Sequence, residues 1–332
     1  MLVSVVIPCR NEEDYIESCI RSVFQSTYSS LEVIVVDGKS TDQTISILNQ
    51  LKSEFPELKL VVNEKQTTPF ALNLGIKASN GEIIIILGAH SELSSNYVQG
   101  CVEQLSKQKE LGCVGGVLEN VCLDELTRVI SLGMGSGFGV GNAYFRTGSN
   151  SGYVDTVAFG AYPRFVFDQI GFFDEDLTRN QDDEFNFRLL KNGYKIWLSK
   201  DFSVRYYVRS NWEKLRKQYF QYGYWKVFVN RKHQTITTIR QLIPFFFVCF
   251  LLSGIACLLI PGYWIFYLFV LLSYLISACY FAYQQSSKLG SLVPLIYTFL
   301  ILHLSYGWGY FRGIIDFYLL NISKPGQSGL TR

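Results

Sequence analysis

Charge imbalance is almost absent from this chain: 30 Lys and Arg against 28 Asp and Glu leave a net +2 over 332 residues. The total therefore implies no polyanionic partner. The eight cysteines include no C-x-x-C pair and no His-rich zinc spacing, which speaks against a structural zinc site. Cys249, Cys257 and Cys279 fall in apolar runs. All eight read as reduced, mostly buried thiols, in keeping with a cytoplasmic compartment. No G-x-G-x-x-G follows the first strand, where Pro8-Cys9-Arg10-Asn11-Glu12 stands instead; that speaks against NAD or FAD. The glycine-rich run 131–142 lacks the Lys-Ser/Thr of a P-loop. No signal peptide is expected, because Met1 leads directly into a strand.

What is present is an apolar surplus, 48% of the chain, with positive mean hydropathy. It accumulates after Leu242, which predicts membrane segments. Ahead of that point strands and helices alternate. Strands are expected at Leu2–Ile7, ended by Pro8, at Leu31–Val36 and at Leu58–Val62. Helices are expected from a cap at Asn11 or Asp14 to about Gln25, from Ser40 or Thr41 to about Phe55, and from Pro69 to about Asn80. Next comes Glu82-Ile83-Ile84-Ile85-Ile86-Leu87-Gly88-Ala89-His90. Five aliphatic residues without polar alternation predict a strand buried on both faces, in the middle of a parallel sheet. The fold class is α/β, doubly wound, with a Rossmann-like, mostly parallel sheet. In such sheets ligands sit beyond the carboxyl ends of central strands. Asp37 and the Gly88-Ala89-His90 loop end two of these strands and point to one place. An Asp there accepts hydrogen bonds from a base or ribose, and the missing glycine fingerprint favours a mononucleotide held by side chains.

Three blocks resemble, in this order and spacing, the signatures of family 2 glycosyltransferases with a GT-A fold. They are Val6-Ile7-Pro8-Cys9-Arg10-Asn11-Glu12-Glu13, Val35-Val36-Asp37-Gly38-Lys39-Ser40-Thr41-Asp42, and the run from Arg179 through Gln181-Asp182-Asp183-Glu184 to Arg188. Pro69 to Gly75 with Asn73, Gly88-Ala89-His90, and Phe159-Gly160-Ala161-Tyr162 narrow the likeness to membrane-bound succinoglycan-type glucosyltransferases of exopolysaccharide assembly. The resemblance covers about residues 1–235. It implies that Pro8, Arg10, Glu12, Asp37, Asn73, Gly88 and Ala89 line a nucleotide pocket. It implies a divalent metal, Mn²⁺ or Mg²⁺. The family has D-x-D, and closer relatives D-A-H, where this chain has Gly88-Ala89-His90. His90 keeps the ligand position, and imidazole suits Mn²⁺ better than Mg²⁺; Glu92 is a further candidate carboxylate. In the family's E-D-x-D/E block the Asp is the catalytic base. Here Gln181 replaces the Glu, Asp182 matches the base with Asp183 as its neighbouring alternative, Glu184 is the second acid and Arg188 closes the block. The acidic start also suits a helix macrodipole.

Between these blocks a helix is expected over Ser95–Lys109 and a strand over Cys113–Leu118. The glycine-rich run, followed by Tyr144, Phe145 and Arg146, reads as a mobile lip. A strand over Val154–Tyr162 would bring Gly160 and Ala161 to the sugar, and Tyr194–Ser199 is a further strand. Basic residues from Arg205 to Lys232 interleave with aromatics at helical spacing, which predicts an interfacial helix. Nucleic acid fits that run less well, since membrane spans follow directly. Gln221 and Trp225 faintly resemble the acceptor motif of processive relatives, but Tyr224 stands where Arg would, so a processive polymerase is not implied. Spans are expected at Leu242–Ile260 and Tyr263–Tyr283, with a third at Leu292–Phe311, where His303 is a functional hint. The organisation expected is a catalytic domain over 1–204, an interfacial region over 205–241, transmembrane helices over 242–319 and a tail over 320–332. Cations before Leu242 put the catalytic domain on the cytoplasmic side of the plasma membrane.

The resemblance implies an inverting transferase that moves a hexose from a nucleotide sugar, UDP-glucose first, to a lipid-linked or membrane-proximal saccharide. The alternatives are transfer to a polyprenyl phosphate, or a catalytically silent nucleotide-sugar-binding subunit, which Gly88 and Gln181 would favour.

Overall fold

The computed structural model describes residues 1–148, 150–286 and 289–322; of the expected tail, only 320–322 fall among them. The chain groups into two units: 1–120 with 144–207, and 121–143 with 208–322. The first unit is therefore interrupted by a segment that groups with the apolar helices, unlike a continuous domain over 1–204.

The first unit opens with β1 (Val3–Cys9), α1 (Ile16–Phe24), β2 (Leu31–Asp37), α2 (Thr44–Glu54), β3 (Leu58–Val62), α3 (Thr68–Ala78) and β4 (Ile83–Ile86). β5 (Ser91–Leu93), α4 (Tyr97–Lys107) and β6 (Leu111–Val121) follow. The chain leaves through α5 (Glu125–Met134) and α6 (Gly137–Val140). It returns with α7 (Tyr144–Thr147), β7 (Gly152–Val154), β8 (Ala161–Pro163), α8 (Arg164–Ile170), α9 (Gln181–Lys191) and β9 (Lys195–Tyr207). One nine-stranded sheet runs β3-β2-β1-β4-β8-β6-β9-β5, with β7 on β9.

The sheet is mixed, which corrects the mostly parallel expectation. β3, β2, β1 and β4 pair in parallel; β4–β8, β6–β8, β5–β9 and β7–β9 are antiparallel. β4 is the junction: Ile85 faces Val5 of β1 on one side and Ala161 of β8 on the other. Ile83, Ile84 and Ile85 are buried, and each such side chain is worth about 1.5–3 kcal/mol on burial. Ile84 packs with Val6, Leu72, Phe167 and Phe185 in one cluster. Pro8 does not end β1, since it still pairs with Val36. β4 pairs only as far as Val6, so a missing amide at Pro8 breaks no ladder on that side. The strand expected over Val154–Tyr162 is two short strands, β7 and β8. β9 extends through Arg205 and Tyr207, beyond the expected Ser199.

The second unit continues with α10 (Trp212–His233), α11 (Ile243–Leu252), α12 (Tyr263–Gln285) and α13 (Leu289–Ile314). Among the described residues three helices are long and apolar enough to cross a membrane: Ile239–Leu258, Tyr263–Gln285 and Gly290–Leu319. Half of the third is buried, against about a tenth or less of the others, so it is the packing centre. α10 packs along it. Glycines make this possible. A Cβ on Gly223 would stand 2.0 Å from the Tyr306 carbonyl oxygen, and one on Gly309 would stand 2.0 Å from that of Phe220.

The glycine-rich run falls in the end of α5 and in α6, which pack against α13. A Cβ on Gly133 would meet Thr298 at 2.6 Å, and Phe138 sits among Tyr274, Phe281, Phe299 and His303. His303 Nε2 is 2.8 Å from the Phe138 carbonyl oxygen, so Nε2 carries the hydrogen; Nδ1 then accepts from Tyr274 Oη at 2.9 Å. This neutral imidazole clamps α6 to two spans, a structural duty that accounts for an ionisable residue there.

Candidate active site

β1 and β2 end side by side, and their loops are laced together. Asn11, expected as a helix cap, instead takes a left-handed φ of 54°. Its amide donates to Ser40 Oγ at 2.8 Å and its Oδ1 accepts from the Thr41 amide at 2.8 Å. The Glu12 amide donates to Thr44 Oγ1 at 2.8 Å. These bonds fix buried Asp37, whose Oδ1 accepts from Ser40 Oγ at 2.6 Å and from Cys9 Sγ at 3.7 Å. Burial, with the nearby charges of Asp37 and Glu12, pushes the Cys9 thiol far up, so it stays protonated and donates. Arg10 packs beside Gly38, and its Nε is buried with no hydrogen-bond partner among the described residues. A ligand oxygen would satisfy such a donor. Pro8 is half-buried on the same strand end.

The end of β4 joins this corner. Ala89 is buried, and His90 Nδ1 stands 3.6 Å from Glu12 Oε1. The His90 ring lies 5.3 Å from that of Tyr206 on β9. The Arg146 guanidinium lies over the same Tyr206 ring at 5.6 Å. From there the charge of Arg146 reaches Asp182, in the first turn of α9. Contacts thus lead from Asp37 and Cys9, and from Glu12 through His90 and Tyr206 to Arg146, whose charge acts on Asp182.

Asp182 is accessible to solvent yet crowded by protein. Desolvation raises its pKa, the Asp183 charge adds to this, and the Asp183 amide donating at 2.9 Å and the Arg146 charge oppose it. A carboxylate with a raised pKa that still meets water is suited to take a proton.

Several expected site residues do other work. Glu184 and Arg188 form a bidentate pair at 2.7 and 2.9 Å, and Arg188 also donates to the Ile170 and Phe172 carbonyls. Glu184 is 1% exposed and holds the arginine that closes the turn before α9. The Asn73 side chain bonds Phe173 N, Phe173 O and Glu175 at 2.9–3.0 Å. Gly160 and Ala161 are buried in the sheet, where the Gly160 carbonyl accepts from Ile86 and Ala161 pairs with Ile85. Glu92 is tied to Arg205 and Tyr207 at 2.5 and 2.6 Å. Gln221 and Trp225 belong to α10 in the second unit, where Trp225 packs on Tyr224 and Phe228. Conversely, Tyr206 lies outside every motif, and Phe159, though in one, was given no role. The alternation of buried Val204 and Tyr206 with exposed Arg205 along β9 is the only signal that would have marked Tyr206.

Residues 4–171 match the profile described as Glycosyl transferase family 2. The chain is also 31% identical to a dolichyl N-acetyl-alpha-D-glucosaminyl phosphate 3-beta-D-2,3-diacetamido-2,3-dideoxy-beta-D-glucuronosyltransferase of Methanococcus voltae, over 94% of this chain and 97% of that one. The chain is a family 2 glycosyltransferase. This glycosyltransferase is 26% identical to the succinoglycan biosynthesis protein ExoA of Rhizobium meliloti (strain 1021), over 94% and 95% of the two chains. Its GT-A fold is shared with the mannosyltransferase PcManGT from Pyrobaculum calidifontis, solved with GDP-Man and Mn²⁺, at 16% identity. The TM-score is 0.54, over 97% of this chain and 76% of that one.

For a metal, the donor set of the glycosyltransferase is small. Among the described residues no three His, Cys, Asp or Glu side chains converge. Gly88 offers no ligand atom, and the Phe159 ring stands 2.9 Å from where its Cβ would be. His90 and Glu12 remain. Their 3.6 Å separation is one that two ligands, each about 2 Å from a shared ion, can have. An imidazole and a carboxylate fit Mn²⁺, with diphosphate oxygens completing the shell.

Proposed function

We propose that this glycosyltransferase moves a hexose, with inversion, from a UDP-sugar such as UDP-glucose to a hydroxyl of a lipid-linked saccharide, on the cytoplasmic face of the plasma membrane. The observation that carries the reading is the set of contacts that leads from Glu12 through His90 and Tyr206 to Arg146, whose charge acts on Asp182. It joins a nucleotide corner to a proton acceptor across one strand end. Support for the acceptor comes from the Methanococcus voltae relative, whose name specifies a dolichyl-linked sugar phosphate, and from three helices able to cross a membrane.

In this reading Asp37, Arg10 and Pro8 hold the base and ribose, and Asp37 accepts their hydrogen bonds. His90 and Glu12 would hold a divalent ion, which when bound supplies charge neutralisation at the diphosphate. Asp182, with Asp183 beside it, takes the acceptor hydroxyl's proton onto a carboxylate oxygen. The freed oxygen forms its bond to the anomeric carbon from the face opposite the nucleotide. The bond from that carbon to the diphosphate breaks, and UDP leaves with the electron pair.

Thermal-shift screening of the detergent-solubilised protein against UDP- and GDP-sugars, with and without Mn²⁺, identifies the donor, because a bound ligand raises the midpoint. The expected result is a shift with a UDP-hexose. NMR of the product then reads the anomer. Retention of configuration, or no shift with any nucleotide sugar, overturns the proposal.

A further inference from the structure

Arg146 sits on α7, where the chain re-enters the first unit. Its guanidinium carbon is 5.6 Å from the Tyr206 ring centre and 5.4 Å from that of Phe145. The Tyr206 ring is also 5.3 Å from His90 and 6.3 Å from Phe159, the ring that occupies the space beside Gly88. Tyr206 is thus a buried platform shared by the imidazole at the end of β4 and by one guanidinium. The positive charge of Arg146 also reaches Asp182. A cation so placed shares one ring with the imidazole at the strand end, beside the interval that a sugar diphosphate spans in the reading above.

Negative charge dominates the residues along that interval: Glu12, Asp37, Asp182 and Asp183. A diphosphate adds more negative charge, and Gly88 brings no carboxylate to bind a compensating ion. A guanidinium keeps its proton, and its planar fork matches phosphate oxygens with paired N–H donors. Stacking on an aromatic ring orients that plane.

Resting on the donor site proposed above, we propose that Arg146 contacts substrate, holding the diphosphate of the nucleotide sugar from the face of Tyr206 by charge-assisted hydrogen bonds.

Calorimetric titration of the full chain in nanodiscs, without metal and again with Mn²⁺, compares UDP with uridine and GDP with guanosine. The wild type is expected to prefer the diphosphate over its nucleoside. Arg146→Gln is expected to lose on the order of 10- to 100-fold of that preference, with nucleoside affinity unchanged, and Arg146→Lys to recover part of it. An unchanged preference in Arg146→Gln overturns this inference and leaves the donor site standing. Equal loss of nucleoside affinity in both variants also overturns it, since Arg146 would then support the pocket and not the phosphates. No nucleotide binding by the wild type overturns the donor site and this inference together.

Discussion

At the scale of single residues, the proposal gives Asp182 the chemistry, and its raised pKa adds a small stability penalty. Its folded pKa is raised, first by desolvation and then by Asp183. The folded state therefore binds this proton more readily than the unfolded chain, whose Asp titrates near about 3.9. The carboxylate subtracts from stability above its folded pKa, and the penalty fades as pH falls through it. Because the group meets solvent, the effect is modest. Asp182→Asn is expected to lower transfer by about 10²–10⁴-fold while leaving the neutral-pH melting midpoint equal or slightly higher. The acid limb of a kcat/KM profile is expected above the ordinary aspartate range. Gly88 is a second residue-scale test. The Phe159 ring blocks a side chain there, so Gly88→Asp alone is expected to leave Mn²⁺ affinity unimproved, read by calorimetry, whereas Gly88→Asp with Phe159→Ala raises it. Asp37, His90 and Asp182 each stand where an element begins or ends, which a motif can mark. The partners of Asn73, Glu184 and Arg188 were not legible, because a motif records residue identity and not whether a buried polar side chain already has partners.

At the scale of elements, α9 shows how structure serves the site without entering it. The Arg188 guanidinium closes the turn before the helix and neutralises a carboxylate that is 1% exposed. Removing one partner strands a buried charge, which costs about 3–5 kcal/mol. Arg188→Met is accordingly expected to lower the melting midpoint sharply, with nucleotide affinity falling only as the fold is lost, whereas Glu184→Gln is milder because it leaves no buried anion. The alternation of strands and helices over the first ninety residues was legible from hydrophobic runs and turn signals. The antiparallel half was not. β7 and β8 have three residues each, too short for a periodicity, and β8 is defined by what it pairs with. The glycine-rich run was read as mobile since glycine loses most entropy on ordering. Its partner, α13, lies more than 150 residues further along the chain, and local sequence does not encode that contact.

At the scale of the whole molecule, two units share the work along one chain. The second is held by helices whose backbones touch through glycine. Gly309→Leu would force a side chain into the Phe220 carbonyl and is expected to separate α10 from α13, seen as loss of a monodisperse detergent-solubilised species. The apolar surplus after Leu242 announced the spans by length alone; that α13 is their packing centre was not readable from hydropathy. The first unit is expected to bind nucleotide sugar with one set of residues and to remove a proton with another. Titrating UDP-glucose with Mn²⁺ into the wild type, Asp37→Asn and Asp182→Asn, and measuring transfer on the same samples, separates the two most directly. The prediction is that Asp37→Asn loses at least about tenfold in affinity, as for a charged hydrogen-bond partner, while Asp182→Asn binds like the wild type and transfers almost nothing. Wild-type transfer by Asp182→Asn, or wild-type binding by Asp37→Asn, would contradict it.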